Sequence, residues 1–114
     1  MGSLCSKKQD IVYQIGSGHK TINLVSNICS SWGFEQKAEK VKLFCNYLAN
    51  EEFTVNAKII PISGYTGVYD IIQITPDNKK VIVFSNNSKN TGAVIDKTIK
   101  ESDYSNIKNN LIMN

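Results

Sequence analysis

Residues 33–50, lying between two short β-branched runs, constrain the fold of this chain more than any other feature. Phe34, Ala38, Val41, Cys45 and Leu48 step by three or four positions and so mark one face of a helix. Glu35, Glu39, Lys40 and Lys42 fall mainly off that face, and the two glutamates suit the positive end of a helix dipole. The flanking runs are "TINLVSNI" (21–28) and "FTVNAKII" (53–60). In the second, Phe53, Val55, Ala57 and Ile59 alternate with Thr54, Asn56 and Lys58, the pattern of a half-buried strand. Two strands joined through a helix are expected to lie parallel, with a right-handed crossover.

The remaining segments extend this unit. "IVYQI" (11–15) is a short strand candidate, ended by the turn-prone "GSGH". "VYDIIQI" (68–74) and "KVIVFS" (80–85) read as strands joined by the turn "TPDNK", and "SNNSKNTG" (85–92) reads as a polar loop. Ser102 is placed to cap a last helix whose buried side would use Tyr104, Ile107 and Leu111. That helix is asparagine-rich, weak in propensity and in need of tertiary support. The order β-α-β-β-β-α predicts a single α/β domain with a mixed α+β sheet, on the thioredoxin-like plan. Residues 1–20 read as a tail with a short strand, and 21–114 as the domain. Residue 29 is expected in the loop feeding the first helix.

Composition narrows the function classes. The chain has 114 residues, enough for one core, and a net charge of +3 carried by thirteen lysines and no arginine. Without arginine the bidentate reading of phosphates or guanines is lost, which argues against a nucleic-acid partner. Thirteen asparagines beside the lysines read as codon bias more than function. His19, beside a turn, reads as an exposed histidine without a role. One histidine and the scattered Cys5, Cys29 and Cys45 do not make a zinc site, and three cysteines argue for a reducing, cytoplasmic compartment. No apolar run approaches the ~18 residues of a membrane-spanning helix, and no signal peptide is expected.

With these elements placed, the sequence resembles the selenoprotein W-like (Rdx) family of small thioredoxin-fold proteins. Cys29-Ser30-Ser31-Trp32-Gly33-Phe34 matches that family's Cys-x-x-Cys or Cys-x-x-selenocysteine followed by glycine and an aromatic. "YTGVYDI" matches its Thr-Gly landmark at Thr66, Gly67, Tyr69, Asp70 and Ile71, and Val83-Phe84-Ser85 its next strand end. The match covers about residues 21–112. The chain departs from the pattern at Trp32, in the longer hairpin at Pro76-Asp77-Asn78, and in "NTG" where a glycine pair is expected.

The resemblance implies a redox site with Cys29 as nucleophile and position 32 as its partner. Ser30, Ser31, Gly33, Phe34, Thr66 and Gly67 would form the loops facing substrate. A cysteine ahead of a helix N-terminus favours thiolate, which forms mixed disulfides with protein thiols or glutathione. Glutathione would be a co-substrate, and no resident cofactor or metal is expected. Cys45, sixteen residues on, cannot reach Cys29 along one helix and reads as core. The alternative is a non-catalytic interaction or assembly subunit that uses Trp32 as an aromatic contact. Trp32 itself has two readings. The family carries selenocysteine at this position, encoded by UGA, which some variant codes read as tryptophan. Either the native residue is selenocysteine, or a genuine tryptophan fills the loop of a redox-silent relative.

"MGSLCSKK" fits N-myristoylation at Gly2, with Cys5 placed for palmitoylation and Lys7 and Lys8 for anionic lipid. Two such signals anchor where one acyl chain binds only marginally. This expects a lipoprotein at the cytoplasmic face of a membrane. Gly2→Ala should move the protein from membrane to soluble fractions, and Cys5→Ser should weaken its retention. Fractionation of both variants like the parent would reject the anchor.

Overall fold

A computed structural model of the chain describes residues 9–30, 33–63, 67–85 and 99–112. The described elements are β1 (Ile11–Ile15), β2 (Lys20–Cys29), α1 (Phe34–Leu48), β3 (Phe53–Ile62), β4 (Tyr69–Ile74), β5 (Lys80–Ser85) and α2 (Glu101–Asn109). The strands form one mixed five-stranded sheet in the order β1-β3-β2-β4-β5. β2 and β3 pair in parallel over ten register positions, from Lys20 opposite Phe53 to Cys29 opposite Ile62. The β1–β3, β2–β4 and β4–β5 pairs are antiparallel. The molecule is therefore a mixed α+β fold with the expected parallel pair around its first helix. β1, grouped with the tail on sequence grounds, pairs along its whole length with β3 and belongs to the same sheet.

Alternation sorts the sheet into two faces. Ile22, Leu24 and Ile28 of β2 are buried together with Val55, Ala57 and Ile59 of β3. Against them α1 lays Ala38, Val41, Cys45 and Leu48. The helix stripe is wider than the five positions marked in the sequence, because Lys37 and Phe44 are buried on it too. The exit from α1 is defined by Ala49, which turns extended while its N–H still bonds the Cys45 carbonyl at 2.9 Å. The Asn50 side-chain oxygen then accepts the N–H groups of Glu52 and Phe53 at 2.8 and 2.9 Å, turning the chain into β3.

α2 starts differently from the sequence expectation. Lys100, not Ser102, is the N-cap residue, and the Asp103 carboxylate reaches back to accept the Lys100 N–H at 3.0 Å. A carboxylate three residues in satisfies that N–H and suits the helix dipole better than the Ser102 hydroxyl. Ser102 is an exposed residue of the first turn. Tyr104 and Ile107 are buried as expected, while Leu111 is buried beyond the helix end. The tertiary support for this weak helix is specific. The Tyr104 ring packs 5.6 Å from Phe44 and 5.1 Å from Tyr47. The buried Gln73 amide donates to the Ile112 carbonyl at 2.7 Å and accepts its N–H at 2.8 Å.

Among the described residues no helix is long and apolar enough to cross a membrane. The contrast between two neighbours on α1 tests the packing. Phe44→Ala, at a fully buried position against Tyr104, should cost about 3–5 kcal/mol in denaturant unfolding. Leu43→Ala, where the side chain is 39% exposed, should cost about 1 kcal/mol or less.

Candidate functional site

Cys29 is the last residue of β2, and β2 lies between β3 and β4. Backbone bonding continues on both sides of it: the Cys29 N–H donates to the Val68 carbonyl at 2.8 Å, and the Ser30 N–H to the Ile62 carbonyl at 2.9 Å. The expected loop position of residue 29 is thus corrected. The Val68 carbonyl just ahead of β4 and the Ile62 carbonyl at the end of β3 capture the backbone here, so the strand outlasts its apolar run.

The turn into α1 is made by Gly33, whose backbone is left-handed (φ 63°, ψ 24°). A Cβ there would meet only the Gln36 Oε1, at 3.8 Å, so conformation rather than space selects glycine. The first helical bond runs from the Lys37 N–H to the Gly33 carbonyl at 2.9 Å, and Phe34 is buried at once. Gly67 is a second left-handed glycine (φ 66°), immediately before the Val68 that holds Cys29. Cys29, Ser30, Gly33, Phe34 and Gly67 therefore gather at the carboxyl end of β2. Ser31, Trp32 and Thr66 lie outside the described residues, as do Gly2 and Cys5.

The site differs from the sequence reading in two respects. Cys29 is only 4% exposed, so its thiol is covered rather than offered at a loop tip. Lys37 was not anticipated: it is 5% exposed, in the first turn of α1, with its Nζ 5.8 Å from the centroid of the Tyr69 ring. Tyr69 in turn donates its hydroxyl to the Lys37 carbonyl at 3.1 Å and packs edge-on to Phe84 at 5.3 Å. The position was legible, since residue 37 lies three after Phe34 and four before Val41. A lysine there breaks the apolar pattern, and its stem is what the stripe buries.

Cys45 is fully buried in the helix, and desolvation pushes its thiol up to about 12. Burial likewise raises the Tyr69 phenol above the ordinary tyrosine range. Neither group is a nucleophile at neutral pH. Among the described residues no cluster of three or more His, Cys, Asp or Glu is placed to hold a metal ion. No protein-family model, no curated protein and no solved structure matches the chain.

The raised values predict alkaline instability. Cys45 ionises near 9.0 in the unfolded chain and near 12 when folded. Between those values the folded state holds the extra proton, so stability is intact below pH 9 and falls as pH rises toward 12. One such proton contributes a slope of up to about 1.4 kcal/mol per pH unit. Unfolding measured from pH 7 to 11 should show the fall, and Cys45→Ala should flatten it without abolishing it, because Tyr69 adds its own contribution. A slope unchanged in that variant would contradict the burial of the thiol.

Proposed function

We propose that the chain is a thioredoxin-like redox domain of selenoprotein W type, acting through Cys29 and tethered to a membrane by acylation at Gly2 and Cys5. The observation that carries this reading is the position of Cys29. It ends the strand that runs parallel to β3 through α1, and a left-handed glycine starts the helix four residues later. The strand order β3-β2-β4-β5, with β4 antiparallel to β2 and a final helix packed beside the first, fits the thioredoxin-like plan.

The chemistry is that of a monothiol. The Cys29 thiolate attacks one sulfur of a disulfide such as oxidised glutathione. A Cys29–glutathione bond forms, the original sulfur–sulfur bond breaks, and glutathione leaves as thiolate. Cys45 takes no part, since it stands eleven residues into α1, roughly 16 Å along the helix from Phe34. With selenocysteine at position 32 the selenol would attack first and Cys29 would resolve the selenenyl-sulfide.

The burial of Cys29 favours the second reading, a non-catalytic interaction or assembly subunit using Trp32 as its contact. Reactivity separates the two. Folded protein incubated with oxidised glutathione should gain one glutathione at Cys29, located by peptide mapping, and Cys29→Ser should lose it while Cys45 stays unmodified. Protection of Cys29 equal to that of Cys45 would leave the interaction module. The same map reads the peptide spanning residues 29–34 from natively purified protein. Tryptophan mass without a selenium isotope pattern would reject the selenol.

A further inference from the structure

The sheet ends in two unlike edges. β5 carries Lys80, has a register irregularity opposite Ile71 and Ile72, and its Val83 carbonyl accepts the Asn110 side-chain amide at 3.0 Å. Charge, a bulge and a covering group are the devices that blunt an edge strand against pairing. Among the described residues β1 shows none of them. Its five residues, Ile11 to Ile15, contain no charge and no proline, and its register with β3 is unbroken. Among the described elements it touches only β3 and α1. An antiparallel edge strand turns alternate N–H and C=O groups outward, and among the described residues no strand pairs with those of β1. Val12 beside them is 78% exposed.

We propose that β1 pairs antiparallel with β1 of a second copy of this chain, on a two-fold axis at Tyr13, joining two five-stranded sheets into one. The sequence of the strand is what selects a second copy as the occupant. Rotation about Tyr13 sets Ile11 beside Ile15 of the other copy and Tyr13 beside Tyr13, so the partly buried row stays apolar across the axis. On the opposite face it sets Val12 beside Gln14. Asp10, the nearest charge along the chain, is set beside Gly16 of the other copy, while its own carboxylate stays 3.6 Å from Lys58. In space the charge nearest the axis is Lys42, whose Nζ lies 5.7 Å from the Tyr13 ring centre. Five residues a side bury less than the ~1,200 Å² of a stable interface. The association is therefore reversible and concentration-dependent. It is independent of the redox reading, because it uses neither Cys29 nor the loops around it.

Sedimentation equilibrium of the full, unacylated chain over a wide concentration range tests the pairing. The weight-average mass should rise from the 12.7 kDa of one chain toward twice that value. In Val12→Glu/Gln14→Glu, like charges face each other twice across the axis, and the rise should disappear. Val12→Glu/Gln14→Lys places opposite charges at the same two contacts and should restore it. Both positions are exposed, and a glutamate at 12 lies beside Lys58 in the β1–β3 register, so neither variant threatens folding. Circular dichroism confirms that each is folded before the masses are compared. A parent that stays at one-chain mass at every concentration, or a Glu/Glu variant that associates like the parent, overturns the proposal. Failure of the Glu/Lys variant to recover association overturns the register.

Discussion

The parallel ladder between β2 and β3 is the constraint on which the other features depend, because it fixes both a connection and a register. Parallel neighbours cannot be joined by a tight turn, so α1 must cross over, and its apolar stripe must face the sheet. The ten-position register then sets Ile22 beside Val55 and Leu24 beside Ala57, one layer beneath the helix. A slip of one residue would turn each of these outward. The ladder also makes β2 an interior strand, with β4 on its other side. Ser26, buried within it, keeps its hydroxyl satisfied by donating to the Asp70 carbonyl at 2.8 Å.

The same ladder determines what Cys29 can do. A thiol on a loop can swing toward a partner, but the Cys29 backbone is fixed on both sides, its own N–H by Val68 just ahead of β4 and the next by Ile62 of β3. Its geometry is therefore preorganised and its access is limited, two properties that pull reactivity in opposite directions. The buried Lys37 and Tyr69 strengthen the fixed side of that balance, since the Tyr69 hydroxyl ties β4 to the first turn of α1. The redox reading needs a disulfide that can reach the end of the sheet. The interaction reading needs only that this end keep its shape.

Most of the element order was legible in the sequence, and the reasons are local. Phe34 through Leu48 repeats at helical spacing, Val55 through Ile59 alternates, and "TPDNK" supplies a turn in which Asn78 takes the left-handed backbone (φ 67°). What was not legible depends on contacts far apart in sequence. Nothing near Ile11–Ile15 says that it will pair with β3 forty or more residues later. The start of α2 moved because Asp103, two residues inside the helix from its first residue, competes with Ser102 for the capping role. Of the site, the backbone frame at Gly33 and Gly67 was readable as motif. The cover over Cys29 was not, because burial belongs to the assembled sheet rather than to the strand.

Composition, read first as codon bias, acquires a physical use in the fold. Four lysines lay their ammonium groups 5.7–5.8 Å from aromatic ring centres: Lys20 over Phe53, Lys37 over Tyr69, Lys42 over Tyr13 and Lys108 over Tyr47. Such contacts contribute about 0.5–1 kcal/mol each where exposed, and lysine's long stem covers apolar surface that a shorter side chain would leave wet. The asparagines act where a short amide is needed. Asn50 turns the chain into β3, Asn46 accepts the Tyr13 hydroxyl at 2.7 Å, and Asn110 reaches the β5 backbone. Asn56 donates to Asn23 at 3.3 Å on the sheet face away from the helices, where a neutral polar pair spans adjacent strands without charge repulsion. Whatever biased the sequence toward these two residues, the fold uses lysine to cover aromatic surface and asparagine to satisfy backbone and side-chain polar groups.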